Sequence, residues 1–202
     1  AAACSLVGVT AHLGLFRDAR LQPDETIFVH GGTGGVGAMV LQMAKAAGAR
    51  VIATAGSTEK AERCKQLGAD VVINYKQEDE QEAILAATPQ GVDVFWETLR
   101  EPNLEQIVSV MKERGRIVIM AGRDARPEFP VGPFYVKCLQ LFGFVMFKAS
   151  ADELRSCAGD INRWLSDGSL KAQISQTMPL AEAAKAHQMQ EELNLKFDAY
   201  IL

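Results

Sequence analysis

Cysteine, proline and aromatic residues are all scarce in this chain, and each scarcity excludes something. The 202 residues include only 4 Cys and 7 Pro, and 7% are aromatic. Cys4, Cys64, Cys138 and Cys157 lie far apart, with no Cys-x-x-Cys pair and no His at ligand spacing. Neither a disulfide framework nor a zinc site is therefore expected from them. Free thiols of this kind suit a reducing compartment, so a cytoplasmic location is expected. So few prolines exclude collagen-like and low-complexity classes. Positive charge is not in excess either: Lys+Arg 21 against Asp+Glu 25 leaves a formal charge of −4. That balance argues against a nucleic-acid partner, whose binding face would carry a basic stripe. The longest strongly apolar run, Leu139–Phe147, falls well short of the ~20 residues that a membrane helix needs. No membrane partner is expected. The N-terminal Ala-Ala-Ala-Cys-Ser-Leu-Val has no basic flank of a signal peptide. It has no initiator Met and reads as helix from the outset, which suggests a segment cut from a longer chain.

What is present is an alternation. Apolar runs of strand length take turns with segments of helical period. Thr26–His30 reads as a strand, and Val36, Val40, Met43, Ala44 and Ala47 mark one face of a helix that Gly48 closes. Val51–Ala55 is the next strand, followed by a helix from the N-cap candidate Ser57 to Gly68, then the strand Val71–Ile73. Further on come a helix over Glu78–Ala87, a strand over Val92–Trp96, a helix marked by Leu104, Ile107, Val108 and Met111, and a strand over Arg116–Ala121. Runs such as Val51–Ala55 and Ile117–Ala121 are apolar throughout, as strands buried on both faces are. The pattern predicts an α/β fold: a doubly wound parallel sheet with helices on both faces. Arg123–Pro133 reads as a loop, Leu139–Phe147 as a strand and Leu154–Leu165 as an amphipathic helix. The end of the chain reads as strand, helix, strand over Leu170–Ile174, Leu180–Met189 and Phe197–Leu202.

One motif is sharp. In Gly31-Gly32-Thr33-Gly34-Gly35-Val36-Gly37, residues Gly32, Gly34 and Gly37 satisfy G-x-G-x-x-G between a strand and a helix. Glycine permits the tight turn and lets a diphosphate approach the backbone, where N–H groups at the helix start receive it. Dinucleotide binding is the expected outcome. The tip of the second strand, Thr54-Ala55-Gly56-Ser57, lacks the Asp or Glu that would hold bare ribose hydroxyls, and Glu59 comes later, within the helix. Ser57 can donate to a phosphate and Lys60 can supply charge one turn on, so a 2′-phosphate, and hence NADP(H), fits better. His12, His30 and His187 are scattered; His30 reads as a satisfied core residue, and Glu97 with Asp93 as solvated strand-end carboxylates.

These residues resemble the quinone oxidoreductase (zeta-crystallin-like) branch of the medium-chain dehydrogenase/reductase superfamily. The resemblance rests on Val9-Thr10-Ala11, on Asp24–His30 leading into Gly31–Gly37, and on Gly48–Ala55. It continues through Leu67–Asp70, Ile73-Asn74-Tyr75, Gly91–Val94 and Gly115–Val118. It implies a Rossmann domain over residues 1–168, led by a helix over 1–20. It also implies that 169–202 belongs to a GroES-like catalytic domain whose N-terminal part lies outside this chain. By position, the backbone of Thr33, Gly34, Gly35 and Val36 would face the diphosphate, while Ser57, Lys60 and Tyr75 would hold the adenosine 2′-phosphate, with Gly56 a further cofactor-binding position. Thr98 would line the adenosine or ribose. Gly122 and Phe144–Phe147 would lie towards the nicotinamide, with Thr10 a further candidate there. Two departures stand out: Trp96-Glu97-Thr98-Leu99-Arg100 replaces the family's Asp-x-Val-Gly-Gly, and the ending Lys196–Leu202 is atypical.

The implied activity is zinc-independent hydride transfer from NADPH to a quinone or an α,β-unsaturated carbonyl, with no catalytic residue nominated in this segment. The segment by itself is expected to be inactive. A zinc-dependent alcohol dehydrogenase of the same superfamily and an enoyl-reductase-like domain of a larger synthase remain alternatives. Leu139–Phe147, an apolar strand near the end of the sheet, is the expected edge of a homodimer.

Overall fold

The computed structural model describes residues 2–174, 176–192 and 200–201. Helix α1 (Ala2–His12) continues into a π-helical turn, Leu13–Asp18. Strands and helices then alternate: β1 (Thr26–Val29), α2 (Gly35–Ala46), β2 (Arg50–Ala55), α3 (Thr58–Gln66), β3 (Val71–Asn74) and α4 (Glu80–Ala87). They continue as β4 (Val92–Glu97), α5 (Leu104–Val110), β5 (Met111–Ile119), α6 (Val131–Val136), β6 (Gln140–Gly143) and α7 (Ala151–Asp167). The six strands pair in parallel in the order β3-β2-β1-β4-β5-β6, the doubly wound order, in which the strand sequence reverses between β1 and β4. After these come β7 (Gln176–Thr177), α8 (Ala183–Glu192) and β8 (Tyr200–Ile201), with β7 and β8 forming a separate parallel pair.

The strands alternate side chains between two apolar layers because successive residues point to opposite faces. Ile27, Val29, Val51, Ala53, Val94, Trp96 and Val118 face the layer shared with α1, α2 and α7. Phe28, Ile52, Phe95 and Ile117 face the layer shared with α4 and α5. Both layers exclude water, which explains the uninterrupted apolar runs. Helix ends follow local chemistry. Ser57 caps α3 through its Oγ, Asp79 caps α4, Asn103 caps α5, and Ser150 with Glu153 forms a reciprocal capping box on α7. Gly48 and Gly68, at φ +85° and +104°, end their helices in the left-handed region.

α7 docks on α1 through a polar clasp. His12 Nε2 lies 2.8 Å from Asp160 Oδ2, and His12 Nδ1 lies 3.2 Å from Cys157 Sγ. The order thiol, imidazole, carboxylate is that of a nucleophile, its base and an orienting group. Cys157, however, is 1% exposed, and burial pushes its thiol up, so the set is a buried inter-helix contact.

Several boundaries differ from expectation. The predicted strand Leu139–Phe147 is only Gln140–Gly143, followed by a 3-10 turn at Met146–Lys148, because β5 offers ladder partners only to that stretch. Met111 leaves the predicted helix to start β5, where it pairs with Val92. The loop expected over Arg123–Pro133 gives way to α6 at Val131. Leu170–Ile174 is irregular; Lys171 bonds its N–H to Gln42 Oε1 on α2 at 2.8 Å, a side-chain contact in place of a ladder. Of the predicted strand Phe197–Leu202, only Tyr200–Ile201 falls within the described residues. No helix among the described residues is long and apolar enough to cross a membrane.

Among the glycines of the described residues, the tightest approach is that of α2 to the glycine loop. A Cβ on Gly37 would stand 2.2 Å from the carbonyl oxygen of Gly31, a backbone atom that cannot swing away. Gly37→Ala is therefore expected to lower unfolding stability by about 2 kcal/mol, the usual scale of overpacking. Urea denaturation would measure it, and an unchanged midpoint would contradict this account of the loop.

Candidate dinucleotide site

The C-terminal ends of the strands carry two adjoining cavities, where the strand order reverses and open α/β sheets place their ligands. The first, of about 440 Å³, is lined by Gly31, Thr33, Thr54, Gly56, Lys60, Tyr75 and Thr98, and beyond them by His30, Glu80, Leu99, Asn103, Gln106 and Ile107. The second, of about 910 Å³, is lined by Ile119–Ala125, Gly143, Phe144 and Val145. Glu101 borders both.

The glycine loop supplies the floor between strand and helix. Gly31 holds φ +70°, and Gly34, the N-cap of α2, has no side chain to cap the helix, unlike the N-cap residues of α3, α4 and α5. The first N–H groups of α2 therefore face outward without a side-chain acceptor, ready for an anion. Thr33, Gly34, Gly35 and Val36 are all half-buried at this surface. At the far side Ser57 Oγ accepts the Lys60 backbone N–H at 3.3 Å, which leaves the hydroxyl proton for a ligand. Tyr75 is half exposed, with its hydroxyl resting over Gly56: a Cβ there would come within 2.3 Å of it. Glycine at 56 is what lets tyrosine close this end. β2 ends at Ala55 and α3 starts at Thr58, so Glu59 does sit in the helix and no carboxylate occupies the strand tip.

Gly56, Lys60, Tyr75, Thr33 and Thr98 thus converge on one cavity, with Ser57 capping the helix that carries Lys60. Gly122 lines the second cavity with Phe144. Its φ of +80° and the 2.4 Å separation between a would-be Cβ and the Arg100 carbonyl oxygen show why glycine is needed where the loops after β4 and β5 touch. Thr10 is not brought to either cavity; it is buried and donates its hydroxyl to Leu6 O at 2.8 Å within its own helix. Phe147 lines neither cavity and is exposed. The Trp96 that departs from the family pattern lays its ring on Gly14, where any Cβ would stand 2.4 Å away.

Sequence reasoning missed the base of the first cavity. His30 Nδ1 lies 2.8 Å from Glu97 Oε2, and His30 Nε2 lies 2.8 Å from both oxygens of Glu80. Glu97, expected at a solvated strand end, is instead fully buried; its second oxygen accepts the Leu99 N–H at 2.6 Å. Asp93 does not join it, and pairs with Lys112 at 2.9 Å. Burial alone would lower the His30 pKa, but hydrogen bonds to Glu80 and Glu97 outweigh it and raise it to about 9. His30 is therefore an imidazolium at neutral pH, donating to both carboxylates. Its reading as a satisfied core residue was right, but its charge and its place in the cavity were not visible in the sequence.

Comparison with known proteins identifies the group. Residues 35–159 match the family model described as zinc-binding dehydrogenase. The chain belongs to that family. Quinone oxidoreductases are among the relatives it matches. It is 32% identical to a quinone oxidoreductase of Rattus norvegicus over 93% of this chain and 57% of that protein. A quinone oxidoreductase of Pseudomonas syringae pv. Tomato superposes with TM-score 0.86 and 29% identity, covering 100% of this chain and 63% of that one. The Escherichia coli quinone oxidoreductase complexed with NADPH gives TM-score 0.83 and 28% identity over 95% of this chain and 61% of that one. The chain thus spans only part of the length of these relatives. Despite the family's description, no group of three or more His, Cys, Asp or Glu among the described residues could hold a metal ion.

The raised His30 pKa has a measurable consequence. The folded state favours the imidazolium, so the stability it contributes is complete below the ordinary His value of 6.5 and is lost as pH rises through about 9. That contribution is on the order of 3 kcal/mol. Unfolding free energy should fall between these pH values, and His30→Gln should flatten the slope. An identical slope in the variant would contradict the charged cluster.

Proposed function

We propose that this chain forms the NADP(H)-binding part of a zinc-independent oxidoreductase of the quinone oxidoreductase type. The substrate class is a quinone or an α,β-unsaturated carbonyl. The observation that carries the cofactor reading is the first cavity. Gly31 and Thr33 of the glycine loop line it together with Gly56, Lys60 and Tyr75; α2, which follows that loop, has no side-chain cap, Ser57 caps the helix that carries Lys60, and no carboxylate stands at the tip of β2. The zinc-independent reading and the substrate class rest on the resemblance to the branch.

The cofactor, when bound, supplies the hydride. This chain's residues bind and orient it. The N–H groups of Gly35 and Val36 take the diphosphate, and the dipole of α2 adds to their attraction. The Ser57 hydroxyl and the Lys60 ammonium hold the 2′-phosphate, and Tyr75 closes the cavity beside them. Thr98, whose hydroxyl donates to His30 O at 2.8 Å, keeps an acceptor for the ribose side. The second cavity, with Gly122 and Phe144, receives the nicotinamide end. Arg17 lies 5.4 Å from the Phe144 ring centroid and steadies that wall. No side chain of this segment is assigned to proton transfer.

Association completes the proposal. β6 is an outer strand of the six-stranded sheet, and Leu141, Val145 and Phe147 expose apolar surface along and beyond it. Such an edge pairs readily with a second copy, which makes a cytoplasmic homodimer the reading favoured here.

Titration with NADPH and NADH tests the cofactor assignment. NADPH should bind at least about tenfold more tightly, and Ser57→Ala with Lys60→Ala should remove the preference, because charge-assisted bonds to a phosphate are what they supply. Equal affinity for NADH in the unmodified chain would sink the assignment. Light scattering at high concentration should give a dimeric mass; a monomer would remove the edge-strand proposal while leaving the cofactor reading intact.

A further inference from the structure

In the reading proposed above, the phosphates meet the glycine loop and the Ser57–Lys60 side of the first cavity. The inner half holds polar groups fixed by one another, and counting their remaining hydrogen-bonding capacity shows what can be recognised there. Both ring nitrogens of His30 are occupied. Glu97 is buried with both oxygens engaged. Thr54 Oγ1 accepts the Gly31 N–H at 3.3 Å and keeps its proton to donate, and Asn103 Oδ1 accepts the Gln106 N–H at 3.2 Å and keeps its amide N–H groups, so both remain donors, whereas Glu80 can only accept.

Glu80 differs. His30 Nε2 anchors it from behind, and Gln106 Nε2 donates to its Oε1 at 3.3 Å. A carboxylate offers about four lone-pair sites, so acceptor capacity remains. The side chain is 12% exposed and lines the cavity. Glu101, the other carboxylate at this cavity, stands on an exposed loop. Leu99, Ile107 and Ala55 provide the apolar walls that a planar heterocycle needs.

We propose that Glu80 selects the base of the bound dinucleotide: its anchored carboxylate accepts a hydrogen bond from the exocyclic amine of a 6-aminopurine and rejects a 6-oxopurine. The inference rests on the NADP(H) reading above and deepens it. A carbonyl in place of the amine would set an acceptor against a fixed acceptor, where water has little access to relieve the mismatch. The cluster reinforces this. His30 is held between the two carboxylates, and Glu80 is the one that lines the cavity. It cannot swing aside without breaking its bonds to both His30 and Gln106. Glu80 is thus a specificity-determining residue, and His30, which acts through it, is a positioning residue.

The test is a fluorescence titration of the 202-residue chain with NADPH and with its hypoxanthine analogue, which differ in the 6-substituent and in the proton that the 6-oxo form carries on N1. The unmodified chain should bind the analogue at least about tenfold more weakly, as a site built around one hydrogen-bonding group does. In Glu80→Gln, whose amide can turn an N–H towards the carbonyl, the two affinities should come within about threefold. Thermal melting of that variant confirms that it is folded, and the comparison in the unmodified chain needs no variant. NADPH binding with equal affinity for the analogue overturns this inference alone, as does a tenfold preference that survives in Glu80→Gln. Failure to bind either ligand overturns the cofactor reading and this inference together.

Discussion

The close approach of α2 to the end of β1 governs the geometry of the site. The chain leaves β1 at Val29, turns through Gly31 with positive φ, and enters α2 so tightly that Gly37 faces the Gly31 carbonyl with no room for a side chain. This contact aims the start of α2 along the sheet edge where the strand order reverses. Because Gly34 provides no cap, the first turn of the helix keeps its N–H groups for a ligand. A side chain at Gly37 would reopen the turn. The rest of the site is arranged around this point: Ser57, Lys60 and Tyr75 on one side, Gly122 and Phe144 on the other.

A second constraint lies just beneath. Two carboxylates and an imidazole in a largely dry setting are tolerated because each is paired: His30 donates in both directions, and Glu97 is additionally bonded by the Leu99 N–H. The cluster joins the end of β1, the end of β4 and the first turn of α4, with Gln106 of α5 attached through Glu80. It thereby ties the loops after β1 and β4 to helices on one face of the sheet. The recognition surface gains rigidity from the same bonds that neutralise the buried charge. The departure Trp96-Glu97-Thr98 from the family pattern now has a physical reading. Trp96 fills the layer opposite, against Gly14, while Glu97 turns inward to His30, and Gly122 rather than residue 100 supplies the glycine where the neighbouring loops meet.

Much of the fold was legible before any coordinates. Val51–Ala55 and Ile117–Ala121 read as buried strands because both faces of the sheet are covered, and Ser57 and Gly48 marked helix ends through their own local chemistry. Errors fell where tertiary contacts outweigh local preference. The apolar run Leu139–Phe147 has strand composition throughout, but only Gln140–Gly143 finds partners on β5. Met111 continues the helical period of α5 yet is drawn into β5 by Val92. Around the cavity, the turn at the glycine loop and the helix start at Ser57 were readable because each lies at an element boundary that the sequence marks. For Thr10 the sequence left both a reach to the nicotinamide and an ordinary helical role open, because helical spacing does not reveal whether a hydroxyl turns outward or bonds back to its own helix, as it does to Leu6 O.

The sequence by itself determined the α/β alternation, the turn at Gly31–Gly37 and the missing carboxylate after β2. Each depends on periodicity, on backbone angles or on the presence of a residue type, all of them properties of a short stretch of chain. Tertiary structure alone decided that Glu80, His30 and Glu97 meet, across sequence separations of 50 and 67 residues. It alone made His30 a cation and left Glu80 facing the cavity. A histidine's charge depends on what lies within a few ångströms of it, and only the folded chain brings those groups together.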